Sequence, residues 1–448
     1  MKKGAGNFEV SSCLNTMINP LAVELNDAIK SKNQYIFDML SNLGIRMYFP
    51  KGILSQGAEA RAKAYKTDAT IGIAVENAMP MHLPSIQSHI RDISPKDSYD
   101  YAPASGKAEL RKAWLNKIYE NNPMLRGKVL SNPIVTNGLT HGLSIIGDLF
   151  VNPGDVIITP DKIWENYTLM YSVRYGAELR TFPFYDGNGF NIDGFRKALV
   201  ENGEKIIVIL NFPNNPTGYT PTIRESEEIA KALYDAADSG CNIIAICDDA
   251  YFGLFYDEDA NKESISGYLA GLHPGILTIK ADAATKEEYV WGFRVGFITF
   301  CLHDTDGKDE IFNALERKVM GCIRSSISNC SNLSQSLVLE ALRSTSSADE
   351  RAQKAKILKS RALRAREVLK EDKYKDAWDM YPFNSGYFLC LKLKNVDSEK
   401  LRVHLLQNYG VGVIALDSAD IRIAFSCVEE DKIEELFDTI YKAVKDLS

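Results

Sequence analysis

Three short stretches hold residue types that can do chemistry, and they follow one another in a definite order. Asn-Asn-Pro-Thr-Gly occupies 214–218, Asp-Asp-Ala-Tyr 248–251, and Thr-Lys-Glu-Glu-Tyr-Val-Trp-Gly-Phe-Arg-Val-Gly 285–296. The third sets Lys286 eight residues before Arg294. Together they offer an amine that could act as nucleophile or base, a guanidinium fork that suits an anion, and carboxylates for counter-charge. Singly, each has a plainer reading. Asn-Pro followed by Thr-Gly is a turn signal, an aspartate after an apolar run is usually a helix cap, and a loop lysine is usually a solvated charge. Their joint order and spacing change that balance.

The elements around them are legible from periodicity. Apolar runs at 133–136, 155–159, 205–211, 242–247 and 275–280 are strand-length and rich in Ile and Val. Runs apolar on both faces belong to a parallel sheet covered on both sides. The first stretch comes just after such a run, separated from Asn211 by two residues, and the second directly follows one. A helix is expected over 223–238, with Thr222 and Glu225 as capping box, Ile229, Leu233 and Ala236 at helical spacing, and Gly240 closing it. Strand alternating with helix predicts an open α/β sheet, which binds ligands beyond the carboxyl ends of its strands. Farther on, a long helical stretch over 308–370 precedes strand-like segments at 386–393, 410–416 and 420–428 and a final helix through Ile433, Leu436, Phe437, Ile440, Tyr441 and Val444. This order predicts a smaller α+β domain. Residues 1–68 read as a mostly helical lead-in packing with the small domain, 69–345 as the large domain and 346–448 as the small one.

In this order the motifs resemble the class I/II aminotransferases, the fold-type I enzymes that use pyridoxal 5'-phosphate (PLP), over roughly 70–430. Tyr101 to Arg111 resembles the family's Tyr-x4-Gly-x3-Leu-Arg, 136–140 its phosphate turn, 160–164 its aromatic platform, and 323–329 and 420–425 also fall in family order. The resemblance implies a mixed, mostly parallel sheet in a large PLP-binding domain, a smaller α+β domain, and transfer of an amino group from an amino acid to a 2-oxo acid.

It also implies roles. Lys286 holds PLP as a Schiff base and moves the proton between substrate Cα and cofactor C4′. Asp248 is the counter-charge of the pyridine nitrogen. Tyr251 and Asn215 hydrogen-bond the ring's phenolic oxygen, and Trp164 stacks on the ring. Gly138, Leu139 and Thr140, at a strand-to-helix turn, bind the phosphate with Arg294. Tyr101 reaches the phosphate across a homodimer interface. The family's usual serine three residues before the lysine is Ala283 here, and Thr285 stands close enough in sequence to compensate. Arg422 clamps the substrate α-carboxylate, for which a planar fork suits better than lysine; Asp420, two residues earlier, offers a competing partner. Ser385 and Gly386 fall where the family's substrate-side loop approaches the ligand. Ile323, Arg324, Ser328 and Asn329 match a stretch of aspartate aminotransferases whose arginine crosses from the neighbouring subunit to a second carboxylate, so aspartate or glutamate with 2-oxoglutarate is the expected substrate pair. Asp249 is the alternative to Asp248.

The remaining classes are bounded by composition. The 448-residue chain has 52 basic and 59 acidic side chains, a net charge of −7, and a pI near 5.6. An acidic chain without a basic block is a poor nucleic-acid binder. Eight cysteines, at 13, 241, 247, 301, 322, 330, 390 and 427, form no CxxC pair, and those in apolar runs read as buried free thiols. The six histidines (82, 89, 141, 273, 303 and 404) have no metal-ligand spacing. Neither a secretory leader nor a membrane span is expected, so the chain reads as cytoplasmic. Three rival readings share the motifs: an aromatic or neutral amino-acid aminotransferase, a PLP lyase or cyclase (the segment 72–77 resembles aminocyclopropane carboxylate synthases), and a PLP-sensing regulator.

Overall fold

In the computed structural model the described residues are 18–49, 52–200 and 204–448. Cys13 and the opening of the lead-in expected over 1–68 lie outside them.

The five apolar runs become five of the eight strands that the described residues form in one sheet. In chain order these are β1 (Val129–Leu130), β2 (Ile134–Thr136), β3 (Val156–Pro160), β4 (Glu178–Phe182), β5 (Lys205–Asn211), β6 (Asn242–Asp248), β7 (Ile276–Ala283) and β8 (Gly296–Leu302). Their order across the sheet is β1–β8–β7–β6–β5–β3–β4, with β2 also on β8. Strands β7, β6, β5, β3 and β4 run parallel, and β8 is antiparallel to its neighbours. Strand alternation divides the apolar residues between two cores. Ile207, Ile209, Ile244 and Ile246 face one side; Ile206, Val208, Leu210, Ile243 and Ala245 face the other. The helix Ile223–Asp238 covers this second face with Ile229 and Leu233, and its start is closed by the reciprocal Thr222–Glu225 bonds. The helix Leu139–Phe150 covers the first face with Leu143 and Ile146. Burying each such side chain stabilises the fold by about 1.5–3 kcal/mol.

Register places the chemistry. Asn211 lies beside Asp248, and Asp248 beside Ala281, so β5 and β6 end on one line and β7 runs two residues farther, to Ala283. Gly296 opens β8 opposite both Ala283 and Thr136. A Cβ there would stand 2.6 Å from Gly138 C and 2.7 Å from Leu139 N, so the lysine-bearing turn and the turn at 138–139 can meet only over glycine.

A second sheet contains β9 (Trp378–Met380), β10 (Phe388–Leu393), β11 (Ile414–Ala415) and β12 (Asp420–Ala424) in the order β9–β10–β12–β11, all antiparallel. The helices Ser347–Leu369 and Ile433–Leu447 pack against each other and share one hydrophobic core with it. The lead-in is helical at Pro20–Lys32, Gln34–Asp38, Asn42–Arg46 and Ile53–Lys63. It joins the second sheet's neighbourhood through Gln56, whose amide exchanges bonds of 3.1 and 2.9 Å with Ala415, and through Glu59, 3.0 Å from Arg402. Thr67–Asp68 pairs in parallel with Val411–Gly412.

The helical stretch expected over 308–370 is made of three helices, Lys308–Ser326, Asn332–Arg343 and Ser347–Leu369. Serine chemistry makes the breaks. Ser328 takes φ 70°, Ser331 caps the second helix by accepting from Ser334 N–H at 3.2 Å, and Ser344 turns extended before the third. Serines compete for backbone bonds and favour caps over helix interiors.

Candidate active site

At the carboxyl ends of β5 and β6 lies a cavity of about 210 Å³. Asn211, the last residue of β5, organises its floor. Its Nδ2 donates to Asp248 O at 3.0 Å, and its Oδ1 accepts Asn215 N–H at 2.9 Å. One side chain thereby fixes the turn after β5 to the end of β6. Gly218 completes that turn at φ 73°, where a Cβ would stand 2.0 Å from Phe388 O.

Asp248 is buried, with Oδ1 accepting Ala250 N–H at 3.1 Å and Oδ2 accepting the Tyr167 hydroxyl in a short bond. Burial pushes its pKa up to about 6, opposed by the bond from Tyr167, so the group is mostly ionised at neutral pH. Asp249 faces elsewhere: its Oδ2 takes Lys280 and the Ser264 hydroxyl. That engagement leaves Asp248 as the carboxylate of the cavity.

Lys286 lies in the short helix Ala284–Glu287, just beyond β7, and its Nζ sits 4.6 Å from the Tyr251 ring centroid. Burial is the main cause that lowers its pKa to about 8; Asp248 opposes this and Arg294 adds to it. Behind it, Glu287 and Glu288 anchor the segment to Lys117 at 2.9 and 2.5 Å. Arg294 holds φ 55°, in the left-handed region. Its Nη1 donates to Trp291 O at 3.3 Å, while its fork abuts Gly138, where a Cβ would be 2.3 Å from Nη2. Leu139 and Thr140, opening the helix Leu139–Phe150, line the same wall with Thr285. The Thr285 Oγ1 is buried without a hydrogen-bond partner, as is suited to a hydroxyl facing a bound anion. Ala283 is buried at the end of β7 and carries no cap bond.

Arg422 closes the far side from β12. Its Nη1 donates to Asn215 Oδ1 at 3.0 Å and its Nη2 to Thr70 O at 2.8 Å, while Nε is buried and unpaired. Its guanidinium carbon lies 4.2 Å from the Phe388 ring centroid. Burial lowers its pKa.

The cavity thus brings together Leu139, Thr140, Trp164, Asn215, Asp248, Tyr251, Thr285, Lys286, Arg294 and Arg422. Gly138 lies directly behind, against Arg294. Tyr101 and Arg324 stand outside it. Tyr101 is 89% exposed, and Arg324 is exposed with Nη1 bonded to Ser328 Oγ at 2.6 Å. Ser385 and Gly386 are also absent from its wall. Ser385 Oγ bonds Thr220 Oγ1 at 2.8 Å and Gly218 O at 3.0 Å, so the pair buttresses the turn while Phe388 faces the cavity. His141 accepts Asn137 N–H at 3.1 Å and meets Ser326 Oγ at 3.2 Å. Asp420 bonds Lys162 rather than Arg422.

Residues not foreseen from the sequence are Tyr167, Asn211, Gly72, Ala250 and Phe388. Tyr167 carried one signal, its place in the series Tyr167, Tyr171, Tyr175. The other two hydroxyls donate to Leu143 O at 3.1 Å and Ser144 O at 2.8 Å on the covering helix, so the spacing mostly reports packing.

The donor set suits PLP. An amine, a carboxylate, an arginine beside a helix start, an orphaned hydroxyl and an indole surround one small space; Gly72 keeps one side free of a Cβ, and Gly138 leaves room for the Arg294 fork. Among the described residues no cluster of His, Cys, Asp or Glu could hold a metal, and no helix is long and apolar enough to cross a membrane.

Comparison with known proteins agrees. The family model "Aminotransferase class I and II" matches residues 78–440. A glutamate-pyruvate aminotransferase of Haemophilus influenzae is 27% identical over 44% of this chain and 46% of its own. An aspartate aminotransferase of Musicola paradisiaca is 29% identical over 44% and 47%. The chain thus spans about half the length of these curated relatives. A probable aspartate/prephenate aminotransferase of Aquifex aeolicus is 25% identical over 78% of this chain and 84% of its own. Among solved structures, an aminotransferase from Anaerococcus prevotii superposes with a TM-score of 0.79 at 23% identity, covering 91% of this chain and 99% of that one; it shares the fold. The chain belongs to the class I and II aminotransferases, a family of PLP-dependent enzymes.

Proposed function

We propose that this chain transfers an amino group from an amino acid to a 2-oxo acid, with Lys286 as its catalytic base. The observation that carries the reading is a buried lysine with a pKa near 8, set between a buried carboxylate and two arginines with spare donors around one small cavity.

In this reading Lys286 would tether PLP, Asp248 would face its pyridine nitrogen, Asn215 and Tyr251 its phenolic oxygen, and Trp164 its ring face. Gly138, Leu139, Thr140, Thr285 and Arg294 would hold its phosphate, with Tyr101 of a second copy of the chain in a homodimer. PLP supplies, when bound, a sink for the electron pair left at substrate Cα. The chain's part is to position and to move protons. Arg422 turns its fork to the α-carboxylate and so orients Cα. Lys286 Nζ, neutral in a useful fraction at physiological pH, takes the Cα proton. Tyr167 holds Asp248 in place, so its charge is fixed before substrate arrives.

Aspartate or glutamate with 2-oxoglutarate is the proposed substrate pair, with Arg324 acting in the neighbouring subunit's cavity. Its exposed position in its own chain suits that role. Aromatic or neutral amino acids are the second reading, favoured by Trp164, Tyr251 and Phe388 around the cavity. The test adds aspartate or phenylalanine singly to the PLP-loaded protein and measures the 2-oxo acid formed. One equivalent per site, with the amino group kept on the bound cofactor, is expected. Ammonia release, or no oxo acid from any amino acid, would refute transamination and favour a lyase or a non-catalytic PLP binder.

A further inference from the structure

Arg422 and Asp420 occupy alternate positions of β12, so their side chains leave the same face of the strand. A carboxylate there is the natural partner for the guanidinium, yet the two do not pair. Asp420, with 2% of its side chain exposed, accepts Lys162 Nζ at 2.5 Å. Its carboxylate also takes the Tyr381 hydroxyl at 3.1 Å. Among the described residues Arg422 makes no ion pair. Its two bonded nitrogens reach neutral oxygens, Asn215 Oδ1 and Thr70 O.

Lys162 belongs to the other sheet's side of the molecule. It follows β3 and stands two residues before Trp164, and its carbonyl accepts Asn214 Nδ2 from the turn that bears Asn215 at 3.1 Å. Its side chain is 15% exposed, and its Nζ lies 5.3 Å from the Tyr381 ring centroid. Asp417, 3.7 Å away, is 52% exposed and a weaker second partner. The ammonium therefore joins the loop of the cavity's indole to the strand of its arginine.

We propose that Lys162 is a positioning residue for carboxylate binding: by engaging Asp420 it keeps that carboxylate off Arg422 and docks β12 against the loop of Trp164. The inference rests on the reading of Arg422 as the substrate-carboxylate clamp. Its chemistry is a competition. A guanidinium already neutralised by a same-face carboxylate offers a substrate little net attraction, whereas one bonded only to neutral oxygens keeps its charge for the ligand.

The experiment compares the PLP-loaded wild type with Lys162→Met, Asp420→Asn and the double variant. Calorimetry measures dissociation constants for 3-phenylpropionate and succinate, two carboxylates with neither amino nor oxo group, and KM and kcat are measured for one amino acid. Lys162→Met should weaken both carboxylates and raise KM by roughly tenfold or more, with kcat within about twofold, because Asp420 turns to Arg422. The double variant should recover affinity to within about threefold of wild type, since the competing charge is gone. Should Lys162→Met fail to fold, Lys162→Gln gives the same comparison. A double variant as weak as the single one, or a Lys162 variant with unchanged affinity, overturns the proposal. A wild type that binds both carboxylates but makes no 2-oxo acid would count against the aminotransferase reading instead.

Discussion

The most discriminating perturbation is of the charge around Lys286. Its pKa of about 8, against 10.5 for an ordinary lysine, leaves about 9% of the amine neutral at pH 7 rather than about 0.03%, roughly a 300-fold gain in reactive base. Burial is the leading cause, so the depressed value should survive either neighbour's removal. The neighbours push in opposite directions: Asp248 raises the value and Arg294 lowers it. Asp248→Asn should therefore move the titration below 8, and Arg294→Met should move it above 8. The assay follows PLP attachment to the apo protein as a function of pH. Borohydride reduction and peptide mass spectrometry then assign the label to Lys286. Because only the neutral amine attacks, initial rates should rise with pH to half their plateau near 8 in wild type. A half-point near 10 would mean that Lys286 is solvated. Shifts of the same sign in both variants would mean that the effect is general loosening of the cavity and not charge.

Other perturbations separate the remaining roles. Tyr167→Phe deletes the short bond to Asp248 and one cause holding the carboxylate's pKa down, so the lower limb of the pH–rate profile should move to higher pH; an unchanged limb would make Tyr167 a packing residue. Arg422→Lys should raise KM for every amino acid, a loss on the order of 2 to 4 kcal/mol, and a change confined to one substrate would move Arg422 to the side-chain pocket. Gly138→Ala puts a Cβ 2.3 Å from Arg294 Nη2 on a residue at φ 78°; PLP retention should fall sharply in dialysis, and unchanged retention would remove Gly138 and Arg294 from the phosphate site. Arg324→Ala should lower kcat/KM for aspartate by roughly 2 to 5 kcal/mol while leaving phenylalanine nearly unchanged; equal losses would make Arg324 structural.

What the sequence reveals here follows the range of the interactions concerned. The helix Ile223–Asp238 and the strand Lys205–Asn211 were readable to the residue, because a capping box and a continuous apolar run are local signals. The cavity residues could be named because their motifs resemble a family's in type and order; those after β5 and β6 meet because these parallel strands end side by side, Asn211 beside Asp248. The breaks at Ser328 and Ser344 were hidden in helical periodicity, since serine is tolerated in helices and only its competing backbone bonds end one. Tyr167 was hidden by its neighbours, whose spacing reads as core packing. Asp420 shows the limit most clearly. Alternation along β12 correctly puts it on the same face as Arg422, and local reasoning then offers the two as partners. The choice is made by Lys162, 258 positions away in the chain, on a loop brought near only when the two sheets meet. A side chain's neighbours in sequence fix which way it points; which charge it meets there is decided by the packing of the whole fold.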